Sequence, residues 1–308
     1  MLTNDNTALE PQTSFDGPVL EFDFPAFQIG IAEYAEGPTG CTVFLFPQGA
    51  ATAVDMRGGY PGTINNWEFN HGICLAAGSL YGLEAAFGVA TELFAQQNYS
   101  VEDFALVSGA IIYDYDPRQN VIHPDKKLGR SATLAARTGL FPLGLRGAGR
   151  SATCGWFWTE PSGQGGAFRQ IGTTKVAIFS VFNCSGAIVN RQGQVVKGNL
   201  DPATGKRCHF INELERRLAG QESQARPQGN TTLTVMVTNQ QMERQALDQL
   251  GKQVHTAMGR FIQPFHTMED GDVLYAVTTN EVEHPSLDVT SLGAIAAELA
   301  WEAALSIC

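Results

Sequence analysis

Residues 229–239 read GNTTLTVMVTN: Gly229-Asn230-Thr231-Thr232, then an apolar run closing at Asn239. From Thr231 onward the stretch alternates and is rich in β-branched residues, which predicts a strand. It follows Gln221 to Asn230, a polar segment with one Pro and one Gly that reads as a loop. A hydroxyl residue at the head of a buried strand, just after a loop, can attack the carbonyl before it. An N→O acyl shift and hydrolysis would then cut the chain between Asn230 and Thr231. The freed Thr231 α-amine, with an ordinary pKa of about 7.7–8.0, can serve as base for its own hydroxyl. The plainer reading is a surface loop entering a strand that begins with Thr, which β-propensity favours anyway. Pattern alone leans to the plainer reading.

Working outward, the spacing of Leu247, Leu250, Val254 and Met258 or Phe261 predicts a helix from Met242 to about Phe261. A turn at Glu269 to Asp272 leads into a strand over Val273 to Thr278, and a last helix spans about Ser291 to Leu305. Upstream, strands are expected at Leu20 to Phe24, Phe27 to Ile31, Thr42 to Phe46, Phe104 to Tyr113 and Val176 to Val189. A helix is expected from Ser79, as N-cap, to about Gln96, with Leu80, Leu83, Phe87, Ala90 and Leu93 as its apolar stripe. A charged, exposed helix runs from Ile211 to about Leu218. Residues 1–15 read as a flexible tail, and 16–308 as one domain. The loose alternation of strands and helices predicts an α/β or layered α+β architecture.

Beyond Thr231, the chemistry-bearing residues are few. Asp270-Gly271-Asp272 is a strong hairpin-turn signal, yet carboxylates two apart on a strand share a face and could orient an ammonium or a hydroxyl. His266 and Thr267 sit just before. Asn183 follows an apolar strand, where a side-chain amide either donates to an oxyanion or caps a turn. The glycines of Arg57 to Thr63 (RGGYPGT), Gly78-Ser79 and Gly147-Ala148-Gly149 allow close backbone approach, but they form no phosphate-binding fingerprint. Tight turns are the simpler account of them. The six histidines have no metal spacing, and there is no GxSxG elbow.

Composition narrows the classes. The chain has 308 residues, with 20 Lys plus Arg against 31 Asp plus Glu, a formal charge of −11. That opposes binding to nucleic acid or to an anionic membrane. Only 17% of residues are charged, below the roughly 25% of an average domain, which favours a large core or a subunit interface. The six cysteines form no CxxC and read as thiols in a reducing compartment. No apolar run approaches the about 18 residues of a membrane span, and residues 1–15 lack a secretory pattern. A soluble cytoplasmic protein is the expectation.

Taken together, RGGYPGT (57–63), AGSLYGLEAAFGV (77–89), AIIYDY (110–115), GAG (147–149), GNTTLTVMVTN (229–239) and QPFHTMEDGDVLYAVTT (263–279) resemble the autoproteolytic β-aminopeptidase/D-aminopeptidase family of N-terminal-nucleophile hydrolases. LEFDFPAFQIGIAEYAEGPTG (20–40), FNHGICLAAG (69–78), PDKKLGR (124–130), GQGGAFRQIG (163–172) and LGAIAAELAWEAAL (292–305) are most similar to its nylon oligomer hydrolases, which cut 6-aminohexanoate oligomers endo-wise. The resemblance spans nearly the whole chain after residue 15. It implies an α+β, four-layer αββα sandwich, and self-cleavage at Asn230/Thr231 into an α chain of 1–230 and a β chain of 231–308. It implies Thr231 as nucleophile, Asp270 and Asp272 around its amino group, Asn183 on the oxyanion side and Tyr113 lining the site. It implies a tetramer of αβ pairs, and neither metal nor cofactor. One departure stands out: Trp156 occupies the place where the nylon hydrolases carry a lysine that would hold a carboxylate or depress the amine's pKa. Arg150 and Lys175 are the cations offered in exchange.

Three functions fit this sequence. The first is an autoprocessed amidase acting on linear ω-amino-acid amides or short peptides. The second is an aminopeptidase of the same fold, removing N-terminal β- or D-residues and requiring a free amine. The third is a non-catalytic binding protein, against which the retention of Asn230, Thr231, Asn183, Asp270 and Asp272 argues.

Overall fold

Nine strands make the main hydrogen-bonded ladder: β1 (Gln28–Tyr34), β2 (Thr39–Arg57), β3 (Thr63–Ile64), β4 (Phe69–Ala76), β5 (Val107–Ile111), β6 (Gly163–Ile171), β7 (Thr174–Asn183), β8 (Thr231–Gln240) and β9 (Asp272–Val282). Among the described residues five α-helices accompany them: α1 (Glu84–Gln96), α2 (Lys126–Leu134), α3 (Phe210–Gly220), α4 (Arg244–Ala257) and α5 (Val289–Leu305). The computed structural model describes residues 1–116, 118–220, 222 and 231–308. The loop reading of Gln221 to Asn230 therefore lies, Glu222 apart, outside the described residues.

The ladder runs β6-β7-β8-β9-β2-β4-β5-β3, with β1 also on β2. The pairs are antiparallel except β8 with β9 and β4 with β5. Parallel neighbours need a crossover, and α4 and α1 supply the two. The long β2 joins both halves. Its first part pairs with β1 and β4, its last part with β9, and the register shifts between Leu45 and Ala50.

Period-two alternation sorts these strands into layers. On β8, Leu233, Val235 and Val237 enter one core while Met236 enters another, with α4 and α5. On β4, Ile73 and Leu75 join the first core, whereas Cys74 and Ala76 pack with Ala85, Val89 and Leu128 of α1 and α2. One core thus lies between two sheet layers, and each sheet carries a helix pair outside. This is the αββα sandwich. Among the described residues no helix is long and apolar enough to cross a membrane.

Several local expectations are corrected. The helix expected from Ser79 begins as a 3-10 turn over Ser79–Leu83, and α1 starts at Glu84. Ser79 is no N-cap: its φ is +52°, and its hydroxyl accepts the Asp114 N–H instead. Leu80 and Phe87 are exposed, so the buried face of α1 is Ala85, Ala86, Gly88 and Val89. Small residues let the helix lie close on its neighbours: a Cβ on Gly88 would stand 2.3 Å from the Lys126 carbonyl oxygen. The strand expected from Phe104 covers only Val107–Ile111, and Phe104 is 73% exposed. The run Val176 to Val189 is interrupted, with β7 ending at Asn183 and a short strand at Ala187–Val189. Asp270-Gly271 closes no hairpin, because β9 pairs with β8 and β2. Residues 1–15 lie on the body: Gln12 bridges Glu33, and Lys127 Nζ donates to the Leu9 carbonyl at 2.8 Å.

Candidate active site

Thr231 heads β8, 3% exposed, in direct register with Asn183 at the end of β7. The antiparallel β7–β8 pairing thus brings the predicted nucleophile and the predicted oxyanion-side amide together. Asn183 is fully buried. Its Oδ1 accepts the Thr153 N–H at 3.0 Å, and its Nδ2 donates to the Tyr113 carbonyl at 2.7 Å. An amide nitrogen carries two N–H groups, of which the bond to the Tyr113 carbonyl uses one. Tyr113 is held from behind by its buried neighbour Asp114, which accepts the Gly78 N–H at 3.0 Å and pairs with Arg118 at 3.3 Å. Burial holds the Asp114 carboxyl above its ordinary range.

Asp270 and Asp272 arrive from the turn before β9, and both are buried. Asp270 Oδ1 accepts from Ser185 Oγ at 2.9 Å and its Oδ2 from the Thr267 N–H at 2.7 Å. Asp272 Oδ1 accepts the Thr232 N–H at 2.7 Å, which ties the carboxyl to the first turn of chain after Thr231. Its Oδ2 lies 2.8 Å from His266 Nδ1. Burial, and then the charge of Asp270, push the Asp272 carboxyl well above its ordinary range.

Gly58 and Gly59 serve this turn. Tyr60 N donates to the Asp270 carbonyl at 2.9 Å. A Cβ on Gly59 would stand 2.0 Å from the Met268 carbonyl oxygen, and one on Gly271 2.3 Å from that of Tyr60. The close approach allowed by these glycines is thus to the acidic turn itself.

A cavity of about 400 Å³ opens over Thr231, lined by Tyr60, Pro61, Gly62, Leu80, Ile111 and Tyr113. None of these residues carries a charge. Tyr113 is among the lining residues, and its hydroxyl donates to Asp116 Oδ1 at 2.9 Å.

The cations offered in place of a lysine are engaged elsewhere. Arg150 pairs with Glu33 at 3.3 Å, and Lys175 with Asp23 at 3.1 Å. Lys175 is also eight residues from Asn183 along β7, about 26 Å at strand spacing. Trp156 turns to α3, its ring 5.3 Å from that of Phe210. Arg57, in register with Asp272 across β2 and β9, pairs with Asp55 at 2.8 Å. Asn230 lies outside the described residues. Among the described residues no three His, Cys, Asp or Glu side chains converge as metal ligands.

Sequence reasoning missed His255, Asp55 and the cavity residues Tyr60 and Leu80. His255 Nδ1 lies 2.9 Å from Asp55 Oδ2, and its ring meets that of His266 edge-on at 4.5 Å. The available signal was His266 itself, six residues before Asp272 on the same turn.

An αββα sandwich of this architecture is the N-terminal-nucleophile hydrolase class of fold, and in it Thr231 heads a central strand opposite the buried Asn183 amide. Solved structures agree in fold: a Burkholderia sp. β-aminopeptidase matches with a TM-score of 0.64 at 15% identity, over 92% of this chain and 84% of that one. The L-aminopeptidase D-Ala-esterase/amidase of Ochrobactrum anthropi, described as a variant of the Ntn hydrolase fold, gives 0.63 at 13% identity, over 96% and 88%. Residues 22–307 match the model of peptidase family S58, and the chain belongs to that family. It is 46% identical to a 6-aminohexanoate-oligomer endohydrolase of Agromyces sp. (strain KY5R), over 98% of this chain and 89% of the relative. The chain is an amide hydrolase.

Proposed function

We propose that this chain cuts itself between Asn230 and Thr231 and then uses Thr231 to hydrolyse linear amides internally, with 6-aminohexanoate oligomers as the substrate class. The observation that carries this reading is the cavity over Thr231, whose lining residues carry no charge, while the Asp270 and Asp272 carboxyls are taken up by Ser185, Thr267, Thr232 and His266. An exopeptidase needs a counter-charge for the substrate ammonium, because a buried unpaired charge is costly. A methylene chain flanked by further amides needs apolar wall, which Leu80, Ile111 and Pro61 offer.

In processing, the Thr231 hydroxyl oxygen attacks the Asn230 carbonyl carbon. The C–N bond breaks as the acyl group moves to oxygen, and water hydrolyses the ester. Asn230 leaves as a carboxylate and Thr231 gains a free amine. In turnover, that amine takes the hydroxyl proton as the oxygen attacks the substrate carbonyl. The spare Asn183 N–H donates to the oxyanion. The proton passes to the leaving nitrogen, and water releases the acid from the acyl-threonine ester. Asp272 and Asp270 orient the amine. Neither metal nor cofactor has a step in this scheme. Exposed Tyr81 and Phe87 suit contact between copies, and we read the processed protein as a tetramer of αβ pairs in the cytoplasm.

The deciding measurement is the intact mass of the denatured protein, paired with hydrolysis of N-acylated oligomers. Two species meeting at Asn230/Thr231, with Thr231→Ala uncut and inactive, support the reading. Activity confined to free-amine substrates favours the aminopeptidase. A single mass with no hydrolysis favours a binding protein.

A further inference from the structure

Resting on the hydrolase reading above, we propose that His266 is a positioning residue of this site: its ring, set by a left-handed backbone, fixes the Asp272 carboxyl against the first peptide of the Thr231 strand. His266 has φ of +56°, a left-handed conformation that non-glycine residues seldom adopt. That backbone aims Nδ1 at Asp272 Oδ2, 2.8 Å away, while Asp272 Oδ1 holds the Thr232 N–H. Both carboxyl oxygens are thereby fixed, one by the nucleophile's strand and one by a ring from outside it.

The ring is itself wedged. Phe265 lies against it at 3.8 Å, and His255 meets it edge-on at 4.5 Å. His255 is anchored to Asp55, and Asp55 to Arg57. A chain of contacts thus runs from the end of β2 through α4 to the carboxyl beside Thr232.

Among the described residues, the charged or titratable groups facing Asp272 belong to this arrangement or to its rim, and after cleavage the Thr231 amine joins them. Asp270 and His266 come from its own turn, His255 from α4, Asp55 and Arg57 from β2, and Cys184 from the segment after β7. Burial, helped by Arg57, pushes His266 down to about 4, so the ring is neutral at working pH. A neutral ring donating from Nδ1 favours the charged carboxylate over the acid.

The test compares His266→Asn with His266→Gly. Both residues accept a left-handed φ, and only Asn keeps a donor near the place of Nδ1. Cleavage is followed by intact mass, turnover as kcat and KM across pH, and folding by thermal midpoint. His266→Gly is expected to lower kcat about tenfold or more with little change in KM, as loss of one bond to a charged group should. Without that donor the carboxyl protonates more readily, so the acidic limb of the rate profile moves to higher pH. His266→Asn is expected to recover most of both losses. A His266→Gly enzyme with wild-type kcat and an unmoved acidic limb overturns the proposal and leaves the hydrolase reading standing. So does a pair of variants that lose activity equally, in step with their melting. A wild-type chain that neither cuts itself nor hydrolyses amides overturns both.

Discussion

Gly58 meets Asp270 backbone to backbone: a Cβ on Gly58 would stand 2.3 Å from the Asp270 carbonyl oxygen, and its φ of +86° is itself one that side chains avoid. Two independent penalties therefore bear on one position. Gly58→Ala is expected to cost about 3 kcal/mol, from the left-handed backbone and the overlap combined. Because the clash pushes the acidic turn away from Thr231, self-cleavage should slow as well. Chemical denaturation and intact mass check the two effects. An alanine variant as stable as the wild type would show that the two loops move apart freely.

Asp272 is harder to ionise folded than unfolded, since burial and Asp270 raise it. Its contribution to stability is therefore complete below the unfolded carboxylate range and drains away as pH rises through the folded pKa. Asp272→Asn removes that drain. In the uncut Thr231→Ala background, the added Asn should raise the thermal midpoint near about pH 8, with the two curves converging on acidification. A lower midpoint at alkaline pH would mean that the ionised carboxylate stabilises the fold.

Asp55 behaves in the opposite sense. Burial alone would raise it, but His255 and Arg57 hold it below its ordinary range. Its contribution is present above the unfolded carboxylate range and lost as pH falls through the folded value. Asp55→Asn should therefore lower the thermal midpoint at neutral pH and converge with the wild type in acid. An unchanged midpoint at neutral pH would mean that the His255 contact adds nothing.

Asn183 Nδ2 has one N–H beyond its bond to the Tyr113 carbonyl, and in the proposed mechanism that N–H serves the oxyanion. Asn183→Ala should lower kcat about a hundredfold or more while KM moves little, the scale of a lost oxyanion donor. The measurement is made on the cleaved fraction only, so that slower processing is not counted as slower turnover. Full kcat in that fraction would assign the amide to holding Thr153 and Tyr113 alone.

Leu80 is 65% exposed at the cavity mouth, so a charge there is tolerated by the fold. Leu80→Glu should shift preference away from N-acylated oligomers and towards substrates with a free amine, through a new counter-charge. The ratio of kcat/KM for the two substrates reports it. An unmoved ratio would place the substrate's amino end elsewhere.

The elements legible in the sequence were those with strong local periodicity. The strand from Thr231 and the helices around Leu250 and Ala300 lie where the spacing predicts them. Asn183 and Thr231 stood out separately; only the β7–β8 register joins them. Within the expected apolar stripe, Leu80 and Phe87 misled because those side chains face outward, whereas Leu83, Ala90 and Leu93 pack beside the buried Ala85, Ala86, Gly88 and Val89. Arg150 and Lys175 misled because charge says nothing of distance, and each meets a carboxylate away from the site. The contact of His255 with Asp55 joins residues 200 apart, which no local pattern encodes.

Strand β8 is gripped on both flanks, by β7 along Val176 to Asn183 and by β9 along Val273 to Thr278. Its sides face two separate apolar cores. A nick just ahead of it would therefore release nothing: the two polypeptides would stay interlocked like a tongue in its groove. They would melt together in one step, and come apart only when the whole sandwich does.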